Sequence, residues 1–353
     1  MDRSTIAPSA RCRTRHAPTR PAPPRRGWND AAVAGAIWCF LSALSYSATN
    51  ACMRRVDALG VDPIWAVVNK EAVTVVVVGP WILLRAARGR IRWPSRGALA
   101  LLAGVSLVSQ TVANTSLQWS YGVVGLAVAT PVVFALMITS SGILGWTLLG
   151  ERISARAGGG IALLLGALAA LGVATYAAQG PGELARGRGP AWLLLGIAAP
   201  GLAGVIYALL TTTIRHARRE QASVAVIVFV TTGMALVTLG PASVARLGLA
   251  TLLETPREHL FWIYLAGFFN LLGFLAVTQA LERTAVVHAN VINSTQVVLA
   301  ALAGVAWFGE AMTTWLGLGV ALTLAGIVLV EPPMQPPNRQ PDPSPPTDRP
   351  AEP

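Results

Sequence analysis

The chain has 353 residues, 54% of them hydrophobic and only 12% charged, with a mean hydropathy of +0.56 and a formal charge of +11. A soluble domain carries about a quarter charged residues, so this composition excludes a water-covered surface and points to a bilayer as solvent. The arginines lie in an N-terminal tail and at the ends of apolar runs, a topology signal rather than a nucleic-acid-binding patch.

Residues 1–30 are rich in Arg and Pro and read as a disordered basic tail. The apolar run that follows is too long for a signal-peptide core and shows no small-residue cleavage site, so it is expected to be a retained first span. A spanning helix needs ~20 mainly apolar residues. Such segments are expected near 32–53, 63–84, 98–118, 123–148, 157–177, 191–213, 222–241, 259–280, 285–308 and 314–330. Trp65, Trp81, Trp119, Trp192, Trp262 and Trp315 fall close to their ends, where amphipathic rings meet the headgroups. Residues 332–353 form a Pro-rich tail that cannot bury a core. Cys12, Cys39 and Cys52 have neither metal-ligand nor disulfide spacing, so no metal is expected.

With the N-terminus placed in the cytoplasm, the cytoplasmic segments hold twenty Lys and Arg, including Arg85, Arg88, Arg90, Arg92 and Arg96 between spans two and three. The opposite side holds six: Arg54, Arg55, Arg186, Arg188, Arg246 and Arg257. That bias places both termini in the cytoplasm, in a bacterial inner membrane.

The chain also repeats itself. Tyr46 and Arg54 recur 161 positions later as Tyr207 and Arg215, and Gly79-Pro80 recurs as Gly240-Pro241 at the same offset. Ser116-Leu117 and Val123 are echoed by Ala280-Leu281 and Val287. Gly150-Glu151 recurs as Gly309-Glu310, and Gly158, Gly160, Ala162 and Leu163 recur as Gly317, Gly319, Ala321 and Leu322. The expected organisation is therefore an all-α integral membrane protein of about ten helices in two five-helix repeats, 31–178 and 191–331, joined by a loop at 179–190. Five is an odd number, so the second repeat enters the membrane from the opposite side, an arrangement associated with alternating-access carriers.

Leu149-Gly150-Glu151-Arg152 and Phe308-Gly309-Glu310, each followed by a Gly-rich helix, resemble the EamA-type transporters of the drug/metabolite transporter superfamily. The basic residues closing spans one and six fit the same pattern. The resemblance covers roughly residues 32–331. It implies alternating-access transport of small organic metabolites or drugs, often outward, through a cavity lined largely by spans one, three, four and their repeat partners. The stretch from Leu117 to Gly150 is longer than that from Leu281 to Gly309, so span four around Pro131 departs from a simple copy of span nine.

Polar groups at membrane depth are costly, which makes them functional candidates. Substrate-binding candidates are Tyr46, Gln110, Asn114, Tyr207, Asn270, Asn293 and Gln296. Gln110 and Asn114 share a helix face, as do Asn293 and Gln296, beyond which Asn290 lies on the same stripe. Amides both donate and accept, which suits a neutral or zwitterionic solute; the competing reading is interhelical glue. Lys70 and Glu71 are candidates for coupling, with Glu71 exchanging protons or touching substrate. Alternatively Lys70 snorkels to the outer interface and Glu71 bonds locally, because neighbouring helical residues point about 100° apart and a direct pair is awkward. His288 is the other group able to titrate near neutrality, against a solvated-surface reading. Glu151 and Glu310 are expected to cap or anchor the loop to the next span. Pro131 and Pro200 are candidates for hinges or for ordinary packing kinks.

The expected function is secondary transport, with export as the direction, a small-molecule solute and the lipid bilayer as partners, and a proton or other ion gradient as candidate driving force. No cofactor and no ATP are needed, and the chain has no phosphate-loop motif. A homodimer stays open. The alternatives are a non-transporting receptor or assembly factor, and an intramembrane enzyme using Ser140, Ser141 and His288, whose spacing brings no activating pair together.

Overall fold

The computed structural model describes residues 26–149, 155–178, 189–283 and 293–330. Among them regular structure is entirely helical. The long helices are α1 (Arg26–Ala58), α2 (Pro63–Ala87), α3 (Arg96–Val124), α4 (Leu126–Leu149) and α5 (Ala155–Ala178). They continue with α6 (Pro190–Arg219), α7 (Val224–Leu247), α8 (Arg257–Arg283), α9 (Thr295–Phe308) and α10 (Thr314–Val330). A single-turn helix, Leu249–Leu253, sits between α7 and α8.

Local chemistry sets the boundaries. Asp62 accepts from the amides of Ile64 (3.0 Å) and Trp65 (3.2 Å), and Pro63, which has no amide proton to lose, opens α2. Ser95 caps α3 by accepting from the Ala98 amide at 3.2 Å. Span three was expected to stop near 118, but α3 runs on to Val124 and ends only at Gly125, whose φ of +77° breaks the helix. The overrun has a packing cause: Gln118 and Tyr121 are 2% exposed and hold that turn inside the bundle. α1 and α6 also outrun their apolar cores, because their polar ends remain helical after hydrophobicity stops.

α2, α3, α6, α7 and α8 each contain a stretch long and apolar enough to cross a membrane. Their outward faces fit that role. Leu83, Leu194 and Val237 are about 70% exposed, which water would penalise and lipid would not. Pro80, Pro131, Pro200 and Pro241 all lie inside helices.

Helices pack in a reciprocal pattern: α1 lies on α8, α3 on α6, α2 on α7, α4 on α6 and α9, and α5 on α10. Small residues permit the closest crossings. A methyl group on Gly204 of α6 would fall on the carbonyl oxygen of Val133 in α4. One on Gly267 of α8 would come within 2.6 Å of the Lys70 carbonyl oxygen.

Candidate functional site

A cavity of about 260 Å³ lies among α1, α2, α3, α4, α6, α7, α8 and the start of α9. Tyr46, Gln110, Asn114, Tyr207, Asn270, Asn293 and Gln296 all line it, and so do Lys70 and Glu71. α2 and α7 contribute walls that the resemblance did not single out, through Val67, Lys70, Glu71, Thr231 and Thr232. His288 and Asn290 lie outside the described residues, as does Glu151.

Lys70 and Glu71 pair directly, although helix geometry made such a pair awkward. The Lys70 Nζ is 3.0 Å from Glu71 Oε1, with side chains 8% and 3% exposed. The four-carbon lysine stem can swing across the 100° that separates the two Cβ vectors. Burial forces that contact, since either charge alone at this depth would be far costlier than the pair. Lys70 therefore does not snorkel, and Glu71 bonds across helices as well as to its neighbour. Asn270 of α8 donates to Glu71 Oε2 at 3.2 Å and Asn114 of α3 donates towards Oε1 at 3.5 Å.

From Asn114 the network spreads. Tyr207 of α6 donates to Asn114 Oδ1 at 2.6 Å, and the Asn114 amide also donates to Gln110 Oε1. Gln110 donates to the Thr231 carbonyl of α7 at 3.0 Å. Gln110 and Asn114 sit in a π-helical turn, Ser109–Asn114, within α3. Such widened turns are rare and concentrate at functional sites. Gln296 donates to Asn293 at 3.2 Å on the far wall. The network thus joins five helices, α2, α3, α6, α7 and α8, around one buried carboxylate.

Sequence reading missed Thr49, Asn50, Gln118, Tyr121 and Thr130. A helical signal existed, since Asn50 follows Tyr46 by four and Gln118 follows Asn114 by four. Gln118 donates to the Met53 carbonyl at 3.0 Å, while its Oε1 and the Thr130 hydroxyl are buried with no hydrogen-bond partner among the described residues. Ser141, one candidate nucleophile, donates to the Met137 carbonyl at 2.8 Å, a bond within its own helix.

Glu310 clasps the N-terminus of α4 and Arg54 of α1. Glu310 was expected to cap or anchor the loop to the next span; it does act as a cap, but on α4. Its two oxygens accept from the amides of Leu126 (2.8 Å) and Ala127 (2.9 Å), the exposed positive end of that helix. Arg54 Nε approaches Glu310 Oε1 at 3.3 Å, its Nη1 pairs with Asp57 at 3.2 Å, and its guanidinium lies over the Phe308 ring, 5.6 Å from the centroid. Gly125 and Gly304 leave room for the carboxylate: a Cβ on Gly125 would come within 2.6 Å of Glu310 Oε1, and one on Gly304 would overlap Oε2.

A carboxylate directly after a glycine, closing one helix onto another beside a polar cavity, is the element that carried the family resemblance. Residues 194–331 match the EamA-like transporter family. The EamA match covers α6 to α10, including Tyr207, Asn270, Asn293, Gln296 and Glu310. With the apolar helices it supports an integral membrane protein. A solved structure titled only "Crystal structure of protein" is similar in fold, with a TM-score of 0.53 over 84% of this chain and 96% of its own, at 16% identity. No curated protein shows significant sequence similarity to the chain.

Proposed function

We propose that this protein is a secondary transporter that carries a small polar organic solute across the membrane by alternating access, in the export direction. The observation that carries the reading is the cavity itself. It is enclosed by helices from both parts of the chain and lined by amides, tyrosine hydroxyls and one compensated ion pair, among them residues from both sides of the internal repeat. Such a lining offers donors and acceptors to a solute while keeping net charge near zero.

The helix packing supports two inverted five-helix halves. Exchanging α1 with α6, α2 with α7, α3 with α8, α4 with α9 and α5 with α10 maps α1 on α8 into α6 on α3, and α4 on α6 into α9 on α1. The pairs α2–α7, α4–α9 and α5–α10 map onto themselves. Pseudo-symmetry of this kind lets two states of similar energy exist, each half adopting the other's conformation. With both termini cytoplasmic, the Glu310 clasp lies on the outer side of the membrane.

The test is purified full-length protein in liposomes, assayed by counterflow against a panel of amino acids, hydroxy acids, nucleosides and cationic drugs. Accelerated exchange of a chemically unchanged solute is the expected result. Conversion of a solute into another compound, or no exchange of any member, overturns the reading.

A further inference from the structure

Lys70 is the least satisfied charge in the cavity. Its ammonium has three donors, and its ion-pair partner among the described residues is Glu71 Oε1. Glu71, in contrast, keeps two further partners, Asn114 and Asn270, on helices other than its own. Losing Lys70 would leave Glu71 still hydrogen-bonded; losing Glu71 would leave Lys70 bare in a water-poor site. The pair is therefore asymmetric, and both of its members line the cavity. Beyond it, next to Met53, Gln118 Oε1 offers an acceptor and the Thr130 hydroxyl offers either role, both without a hydrogen-bond partner among the described residues; the two residues are 2% and 3% exposed.

We infer that Lys70 is the anchor for a carboxylate on the transported solute, which takes Lys70 from Glu71 by exchange. The solute class is a small carboxylate that also carries a hydroxyl or amine donor, placed to reach Gln118. This inference rests on the transport reading and deepens it. Exchange has a charge consequence. Once Lys70 pairs with the solute, Glu71 would be an uncompensated anion at membrane depth, and it takes up a proton from the open side. Other ionisable groups facing the pair are the phenols of Tyr46 on α1, Tyr121 on α3 and Tyr207 on α6. Among the described residues, α4, α7, α8 and α9 present neutral side chains to the cavity, through Thr130, Phe134, Thr231, Thr232, Asn270 and Gln296. Among the described residues lining the cavity, Glu71 is the carboxylate placed to receive that proton, and one proton moves with each carboxylate bound.

The experiment compares acids with their primary amides: lactate with lactamide, serine with serinamide, phenylalanine with phenylalaninamide. Full-length protein is tested in liposomes by counterflow, and in weakly buffered detergent for proton uptake on ligand addition. A charge-assisted bond is worth about 1.5–3 kcal/mol, so at least one acid is expected to outcompete its amide by about ten-fold or more. Glu71→Gln keeps this preference and loses the proton uptake. The double variant Lys70→Gln/Glu71→Gln, which stays net neutral and so avoids a bare buried charge, loses the preference. Amides moved as well as acids, or an acid preference that survives in the double variant, overturns the anchor and leaves the transport reading standing. Wild type that moves neither acids nor amides, nor any other solute of the wider panel, overturns the transport reading beneath it.

Discussion

Glu310 caps Ala127, a residue 183 positions earlier, accepting its amide proton at 2.9 Å while the second oxygen takes that of Leu126 at 2.8 Å. One carboxylate thereby closes the N-terminus of α4, binds α9 to it and holds Arg54 of α1 at 3.3 Å. Helix-terminal amides are orphan donors, and a full negative charge is their best partner.

Replacing Glu310 by Gln keeps one acceptor and loses the charge. Thermal unfolding in detergent is expected to show a loss of about 1–2 kcal/mol. Replacing it by Ala leaves two buried amides and Arg54 without their partner, so the loss is larger. A Glu310→Ala protein as stable as wild type would remove the clasp from the account.

Gly125 tests the same clasp from the other side. Gly125→Ala combines a φ of +77° with a methyl group 2.6 Å from Glu310 Oε1. With ψ at 171° this is a conformation almost confined to glycine, so strain of about 1–3 kcal/mol comes from the backbone alone, and displacement of the carboxylate adds to it. The combination Gly125→Ala/Glu310→Ala should lose less than the sum of the singles, because the clash and the cap are one contact. Additive losses would show that they act separately.

The Lys70–Glu71 pair is expected to matter to stability through its breaking rather than its presence. Glu71→Ala leaves a buried lysine and should cost about 3–5 kcal/mol, whereas replacing both residues by Met and Leu should cost much less. Unfolding midpoints of the single and double variants decide this. Equal destabilisation by both would mean that the charges are hydrated in the folded protein.

Gly204 sits where α6 crosses α4. Even Gly204→Ala directs a methyl group onto the Val133 carbonyl, which is backbone and cannot turn aside. The overpacking should cost about 1–3 kcal/mol and lower the yield of folded protein. Gly233, with open space around its Cβ position, is the control, and Gly233→Ala should be nearly neutral or mildly stabilising.

Away from the membrane core, Glu220 accepts from the Ser95 amide at 2.8 Å, tying the α6–α7 turn to the loop before α3. That bond holds its carboxyl below the ordinary value of 4.5, with His216 adding a smaller effect in the same direction. A depressed folded pKa contributes stability above the unfolded value, and that contribution is lost as pH falls through the folded one. Wild type should therefore lose more stability than Glu220→Gln as pH drops below about 4.5. Parallel stability–pH curves for the two proteins would contradict it.

The sequence by itself determined what depends on composition and period. Apolar runs between arginines located the helices, because a bilayer demands internally bonded backbone over about 20 residues. The same logic picked out Gln110, Asn114, Tyr207, Asn270 and Glu71, since polar groups at that depth stand out against their neighbours. Only tertiary structure decided who pairs with whom. Glu71 meets Asn114 and Asn270 at sequence separations of 43 and 199, and Glu310 reaches Ala127 rather than its own next helix. Such partners follow from the crossing of α2, α3 and α8 and of α4 and α9, which no local period encodes. The direct Lys70–Glu71 contact was hidden for a different reason. Local helix geometry argues against it, and the cost of an unpaired buried charge overrides that geometry only once the surrounding helices have excluded water.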